Sequence, residues 1–246
     1  MRLKDKVIVI TGGAGELATT MAARFLAEGA SLLLADLDLA ALQGAAHRLG
    51  GERIALCVAD VGEEADNERM IKQAEATYGG VDAFIANAGI EGKMGPLTTQ
   101  AAEDFDRVMR VNVRGPFLGI KHAMPAIARR GGGSIINMGS NSWWEAGGGF
   151  PVYATAKAAV HGMTRTLARD FGQHMIRVNT VVPGWVMTER QKELWATPEA
   201  LEKQRQRQCL PTLIEPVYLA RMVLFLASDD AAMCTANNYM VEAGSI

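Results

Sequence analysis

Short runs of β-branched and aliphatic residues alternate along this chain with longer segments whose apolar residues recur at helical spacing. Since two parallel strands need a long crossover between them, this alternation favours a parallel sheet with helices as the connections. The pattern predicts strands at 7–10, 31–35, 53–58, 83–86, 134–138, 177–182 and 238–241. It predicts helices at 16–28, 39–49, 63–78, 101–129, 153–171 and 216–227. We therefore expect an α/β fold in which one doubly wound parallel sheet, of about seven strands, has helices on both faces.

Nothing in the sequence divides the chain into separate units. It shows no linker, internal repeat or low-complexity tract, so we expect one domain over residues 1–246. Residues 185–214 break the alternation and follow the sixth strand, where open α/β sheets bind ligands. We expect this segment to be a substrate lid within the domain; a surface helical hairpin without a gating role is the alternative.

Charge and apolar content exclude several classes of partner. Lys and Arg number 25 against 27 Asp and Glu, without a long run of one sign, which argues against nucleic acid as a partner. No apolar run is long enough to span a bilayer, so we expect no membrane span. We also expect no signal peptide, because the charged first residues lead directly into a strand pattern.

The three cysteines, Cys57, Cys209 and Cys234, lie far apart in the sequence. They form neither a disulfide framework nor a metal-ligand spacing, and the four histidines form no ligand pair. We therefore expect buried free thiols, no metal site and a cytoplasmic location.

A glycine-rich turn, with Gly12 and Gly15, follows the first strand and opens the first helix. Glycines at this point let the backbone approach a pyrophosphate, whose charge suits the N-terminus of a helix. Asp36 ends the second strand, where its carboxylate would accept hydrogen bonds from ribose hydroxyls and repel a 2′-phosphate. The sequence thus favours NAD over NADP. The alternative is a tight turn beside an aspartate that caps a helix.

Polar residues also follow the third and fourth strands. Asp60 and Val61 come after one, and Asn87, Ala88 and Gly89 after the other. Because the carboxyl ends of parallel strands meet at one edge, we place all five beside the same crevice. Asp60 suits a contact to the adenine amine, whereas the role expected of Asn87 is chiefly to hold the central backbone.

A hydroxyl, a phenol and an ammonium group form the candidate chemical site. Tyr153 and Lys157 are four residues apart near the start of a helix, so they project from one face. Ser140 follows the fifth strand at the same edge. A phenol with a pKa of about 10 is a weak base at neutral pH, and a nearby ammonium is expected to favour the phenolate. Ser140 would hold the reacting oxygen.

Together these motifs resemble the short-chain dehydrogenase/reductase family over essentially the whole chain. The resemblance implies a dinucleotide-binding and catalytic domain with Asn112, Ser140, Tyr153 and Lys157 as its catalytic set. It implies that Lys157 also binds the nicotinamide ribose and that Asn112 anchors a water for proton relay. It implies a homotetramer built on helices 101–129 and 153–171. The cofactor-binding positions that it implies are Gly12, Gly15, Glu16, Leu17, Asp36, Asp60, Val61, Asn87, Ala88, Gly89, Tyr153, Lys157, Pro183, Gly184, Val186 and Thr188.

The chain departs from the family pattern in its phosphate-binding turn. The family usually has a Thr-Gly-x-x-x-Gly-x-Gly sequence, and here Glu16 and Ala18 replace the second and third glycines. Glu16 would bring a negative charge close to a pyrophosphate, at a cost of a few kcal/mol at most. We expect cofactor binding to survive; loss of binding is the alternative.

The segment between Ser140 and Tyr153 must line the substrate pocket, and it combines polar groups with indole rings. Such a pocket suits a polyol or sugar, although the tryptophan pair could instead pack at a subunit interface. The stretches 182–191, 195–199 and 208–210 resemble the aldose 1-dehydrogenase branch, which implies oxidation of an aldose to an aldonolactone with NAD. The expected monosaccharide contacts are Ser140, Asn141, Ser142, Trp144, Glu145, Tyr153, Trp185 and Gln191. A carbonyl reductase or polyol dehydrogenase and a non-catalytic nucleotide-binding scaffold are the rival functions.

Overall fold

A computed structural model describes residues 1–245, and its centre is one sheet of seven parallel strands. The strand order is β3-β2-β1-β4-β5-β6-β7. The strands are β1 (Val7–Thr11), β2 (Ser31–Asp36), β3 (Ile54–Val58), β4 (Ala83–Ala86), β5 (Gly133–Met138), β6 (Ile176–Pro183) and β7 (Asn238–Val241). The predicted doubly wound sheet is therefore confirmed. The strand order reverses between β1 and β4, which is where such sheets open a ligand crevice.

The helices cover the sheet on both faces. They are α1 (Glu16–Ala27), α2 (Leu39–Arg48), α3 (Glu64–Tyr78), α4 (Ala102–Met109), α5 (Gly115–Arg129), α6 (Pro151–Phe171), α7 (Glu189–Trp195), α8 (Pro198–Arg207) and α9 (Pro216–Ala227). Alternate strand residues supply the two cores, as the period of a strand requires. Ile8 and Ile10 pack with Phe25 of α1 on one face, whereas Val9 packs with Met70 of α3 on the other.

Local sequence explains where several helices begin and end. The Asp38 carboxylate caps α2 by accepting from the Ala40 N–H at 2.8 Å. Proline occupies the first turn of α6, α8 and α9, where its missing N–H costs nothing. Gly79 closes α3 with φ 82°, a conformation that favours glycine.

The helix expected over 101–129 is not a single α-helix. A π-helical turn, Arg110–Arg114, separates α4 from α5 and contains the buried Asn112. Such turns are frequent at functional sites, and no periodicity in the sequence indicates one. The segment 185–214 contains α7 and α8 and returns to the sheet edge through a bridge between Val186 and Ile214.

The prediction of buried thiols is wrong for two of the three cysteines. Cys57 is buried, but Cys234 is half-buried and Cys209 is exposed. Within residues 1–245 all three are free. Over the same residues, no helix has both the length and the apolar character that crossing a membrane requires.

Candidate active site

Most of the predicted site residues lie at the carboxyl ends of strands β1 to β6 or just after them, whereas Asn112 lies in the π-helical turn, Tyr153 and Lys157 in α6, and Gln191 in α7. Gly12 has φ +65°, and a Cβ atom there would lie 3.0 Å from the Ala88 Cα. The turn after β1 thus requires glycine at this position to pass against the turn after β4. Asn87 joins the two turns, because its Nδ2 donates to the Thr11 carbonyl oxygen at 2.9 Å. Its side chain holds the central backbone, as expected.

The N-terminus of α1 has the features of a phosphate cradle. Gly15 precedes it with extended backbone, and no side chain caps the first turn. The N–H groups of Glu16 and Leu17 accordingly point out of the helix without an intrahelical acceptor. Such groups bind anions, so the residues present fit the pyrophosphate of a dinucleotide.

Glu16 does not aim its carboxylate into this cradle. Its Oε2 accepts a hydrogen bond from the Glu189 N–H at 2.7 Å, at the start of α7. The negative charge is therefore directed to the first turn of the 185–214 segment, where unpaired N–H groups favour it. Glu16, which stands where the family has a glycine, thus links the phosphate-binding turn to the 185–214 segment.

Two acidic side chains line the expected adenosine end of the crevice. Asp36 accepts from the Ala14 N–H at 3.0 Å and from the Leu37 N–H at 2.8 Å, which fixes its carboxylate at the end of β2. The Asp60 carboxylate accepts from Arg110 at 2.8 Å and from the Gly62 N–H at 2.8 Å. Desolvation opposes the charged form of Asp60, but these donors outweigh it and hold its pKa below the ordinary value. Arg110 was not found from sequence.

Tyr153, Lys157 and Ser140 meet beside the crevice. Tyr153 and Lys157 lie one turn apart on α6, and the Lys157 Nζ is 5.6 Å from the centre of the tyrosine ring. The same Nζ donates to the Met138 carbonyl oxygen at 2.8 Å, at the end of β5. Ser140 follows β5 directly, and its Oγ accepts from the Ser142 N–H at 3.2 Å. This bond uses the Oγ as an acceptor, and the Ser140 hydroxyl also hydrogen-bonds the Tyr153 phenol.

The pKa of the Tyr153 phenol differs from the one expected from the sequence. The pKa of Tyr153 is raised to about 12, chiefly because the phenol is desolvated. A hydrogen bond with Ser140 opposes this rise, and the negative charge of Glu91 adds to it. Burial lowers the pKa of Lys157 to about 8. The predicted lowering of the phenol pKa by the ammonium is therefore wrong for this structure, because desolvation dominates and the ammonium is directed to Met138.

Asn112 is buried in the π-helical turn, and both ends of its side-chain amide bond the Ile90 backbone. Its Oδ1 accepts from the Ile90 N–H and its Nδ2 donates to the Ile90 carbonyl oxygen, both at 2.8 Å. A Cβ atom at Gly89 would lie 3.3 Å from Asn112 Oδ1 and 3.7 Å from Lys157 Nζ. Asn112 therefore fixes the loop after β4 against the Lys157 ammonium.

The residues expected to contact substrate fall into two groups. Asn141 is buried and donates to the Glu145 carboxylate, which also pairs with Arg207 at 3.8 Å. These polar groups are therefore engaged within the protein. Ser142 differs, because its Oγ is buried without a hydrogen-bond partner among residues 1–245. Trp144 is 38% exposed and stacks edge-on against Trp143.

The second group belongs to the 185–214 segment. The Trp185 Nε1 donates to Gln191 Oε1 at 2.9 Å, and Gln191 Nε2 donates to Glu91 Oε1 at 2.8 Å. Thr188 caps α7, where its Oγ1 accepts from the Gln191 N–H. Pro183 ends β6, and the Gly184 N–H donates to the Val241 carbonyl oxygen. Glu91 was missed from sequence, because its partner is a hundred residues away in the chain.

A metal centre is not indicated. Among the residues described, no three or more His, Cys, Asp or Glu side chains are grouped to hold a metal ion. His161 is buried on α6, and its ring lies 4.6 Å from that of Trp143. Desolvation lowers its pKa, as expected for a packed imidazole.

Comparison with known proteins agrees with the geometry. Residues 12–245 match the family described as "Enoyl-(Acyl carrier protein) reductase". D-xylose 1-dehydrogenase of Caulobacter vibrioides is 39% identical over 98% of this chain and 96% of its own length. A short-chain type dehydrogenase/reductase from Mycobacterium ulcerans has a TM-score of 0.95 at 26% identity, over 99% of this chain and 90% of that one. The structure of NAD⁺-bound xylitol dehydrogenase has a TM-score of 0.93 at 26% identity, over 99% of this chain and 100% of that one.

This chain belongs to the short-chain dehydrogenase/reductase family. Its class is that of oxidoreductases which act on CH–OH groups with a nicotinamide cofactor. The expected resemblance to the aldose 1-dehydrogenase branch is confirmed in sequence, since a named relative is a sugar 1-dehydrogenase.

Proposed function

We propose that this chain is an NAD-dependent sugar 1-dehydrogenase, which oxidises the anomeric C1 hydroxyl group of an aldose to an aldonolactone. The observation that carries the proposal is the convergence of Tyr153, Ser140 and Lys157 at the carboxyl edge of the sheet, where Ser140 hydrogen-bonds the Tyr153 phenol and the Lys157 Nζ lies 5.6 Å from the centre of the tyrosine ring. The similarity to D-xylose 1-dehydrogenase supports a sugar as the substrate.

Tyr153 acts as the base in this proposal. Ser140 would turn its O–H from the Tyr153 phenol to the C1 oxygen, and the Tyr153 phenolate would take the proton of the C1 hydroxyl group. When bound, the nicotinamide ring accepts the hydride that leaves C1. Lys157, directed by the Met138 carbonyl, supplies positive charge 5.6 Å from the centre of the Tyr153 ring. It would hydrogen-bond the nicotinamide ribose.

The cofactor is proposed to lie across the reversal point of the sheet. Its pyrophosphate would lie against the turn at Gly12 and Gly15 and bind the N–H groups of Glu16 and Leu17, and its adenosine would lie near Asp36 and Asp60. The nicotinamide would face the segment from Pro183 to Thr188, including Gly184 and Val186. Asp36 supports NAD over NADP, because a 2′-phosphate would meet its negative charge.

Three further properties of the protein are proposed with this function. A homotetramer is supported by Phe105 and Phe117, which are 43% and 54% exposed on α4 and α5. Segment 185–214 is proposed as the substrate lid, since Gln191 reaches across to Glu91. A cytoplasmic location is in keeping with the free cysteines.

A panel assay tests the proposal. Purified protein is offered aldoses, polyols and cyclic ketones with NAD or NADH, and the products are identified by mass spectrometry. We expect aldonolactone from at least one aldose with NAD. Oxidation of polyols alone would favour a polyol dehydrogenase, which the fold of xylitol dehydrogenase supports as the second candidate. The absence of lactone from every aldose would overturn the proposal.

A further inference from the structure

Glu91 stands at the mouth of the site on a loop whose position is fixed. It follows Ile90, whose backbone N–H and carbonyl are both bonded to the Asn112 side chain at 2.8 Å. Since Asn112 is buried, the loop is anchored one residue before Glu91. The Glu91 residue itself is exposed. Its carboxylate is thus a solvent-facing group on a rigid support.

Gln191 holds the Glu91 carboxylate in a defined orientation. Its Nε2 donates to Glu91 Oε1 at 2.8 Å, while its Oε1 accepts from the Trp185 indole N–H at 2.9 Å. The indole has only a donor, so the amide cannot rotate without losing both bonds. Within residues 1–245 the other Glu91 oxygen accepts no hydrogen bond. One carboxylate oxygen is therefore held in place and the other is free to accept.

Glu91 also lies within electrostatic reach of the reacting group. Its negative charge contributes to the raised pKa of the Tyr153 phenol. The loop that carries Glu91 also passes close to the reacting pair, since a Cβ atom at Gly89 would lie 3.7 Å from the Lys157 Nζ.

We propose that Glu91 is a specificity residue, whose free carboxylate oxygen accepts a hydrogen bond from a second hydroxyl group of a polyhydroxylated substrate. This inference rests on the proposed function only in that the substrate carries several hydroxyl groups. A carboxylate–hydroxyl bond is charge-assisted and stronger than a neutral one. A substrate with a single hydroxyl group forms no such bond and gains nothing from Glu91.

Paired substrates test the assignment. The variants Glu91→Gln and Glu91→Ala are compared with wild type on a polyhydroxylated substrate from the panel and on cyclohexanol. We expect KM for the polyhydroxylated substrate to rise about tenfold in Glu91→Ala and less in Glu91→Gln, which keeps one acceptor. The loss of the Glu91 charge acts on Tyr153 in the same way for both substrates, so the ratio of kcat/KM for the polyhydroxylated substrate to that for cyclohexanol should fall. Glu52→Gln, at an exposed loop position, is the matched control for charge.

The readouts separate substrate recognition from a structural contact. If Glu91 only held Gln191 in place, its substitution would lower kcat/KM equally for both substrates. That result would overturn the inference, and so would the absence of any effect in both variants. Selective loss on the polyhydroxylated substrate supports it, whether that substrate is an aldose or a polyol. Failure of every aldose would overturn the proposed function alone, whereas wild-type turnover confined to single-hydroxyl alcohols would overturn both.

Discussion

The Lys157 ammonium lies 5.6 Å from the centre of the Tyr153 ring and donates to the Met138 carbonyl oxygen at 2.8 Å. Both side chains are desolvated, which brings the pKa of the lysine to about 8 and that of the tyrosine to about 12. At neutral pH the phenol is therefore protonated and the amine still mostly charged. The pair places a cation next to a phenol that must lose its proton before oxidation begins.

Tyr153→Phe should abolish turnover, because the phenylalanine ring fills the same space without an oxygen to accept the proton. We expect kcat to fall by at least about a thousandfold. The NAD dissociation constant, measured by calorimetry, should stay within about threefold of wild type. Retained turnover would remove Tyr153 from the reaction.

Lys157→Met should abolish activity and stabilise the fold at neutral pH. Burial lowers the pKa of Lys157 from 10.5 to about 8, so below pH 8 the folded state carries the cost of a buried charge, on the order of 3 kcal/mol. As pH rises from about 8 to 10.5, the unfolded state binds more protons and the wild type gains stability. The methionine variant lacks this gain.

Urea unfolding at several pH values between 7 and 9.5 checks this account. The free energy of unfolding of Lys157→Met should exceed that of wild type at pH 7, and the difference should shrink towards pH 9.5. A difference that grows with pH would show that the amine is not desolvated in the folded protein.

Asp36→Asn should relax the choice of cofactor. The amide removes the negative charge that opposes a 2′-phosphate but keeps an acceptor for one of the two N–H groups, Ala14 or Leu37. We expect the ratio of kcat/KM for NAD to that for NADP to fall at least tenfold. Equal use of both cofactors by the wild type would place Asp36 away from the ribose.

Glu16→Gln should strengthen NAD binding, because it removes a negative charge from the phosphate turn and keeps an oxygen for the Glu189 N–H. The expected fall in the dissociation constant is about threefold at low salt, and less at high salt. Tryptophan fluorescence provides the titration, with Glu52→Gln as the control. An unchanged constant at low salt would mean that the Glu16 charge does not act on the cofactor.

Sequence reasoning located the strands and the chemical set because both depend on local pattern. Tyr153 and Lys157 share a helix face by their spacing alone, and Ser140 follows a strand whose apolar run is plain. The strand alternation also fixed the edge at which these residues meet.

What sequence reasoning missed depends on contacts between distant segments. The role of Glu91 requires Gln191 to fold back across the crevice, and the direction of Glu16 depends on the start of α7. Arg110 reaches Asp60 only because a π-helical turn interrupts the helix. Neither the periodicity nor the residue spacing of the sequence indicates these three contacts.

Transfer of deuterium from C1 tests the central claim most directly. An aldose labelled with deuterium at C1 is incubated with the protein and NAD, and the reduced cofactor and sugar product are analysed by mass spectrometry. The account predicts one deuterium in the reduced nicotinamide and an unlabelled aldonolactone. Reduced cofactor without deuterium, with the label retained in the sugar, would show that the hydride leaves another carbon and would contradict it.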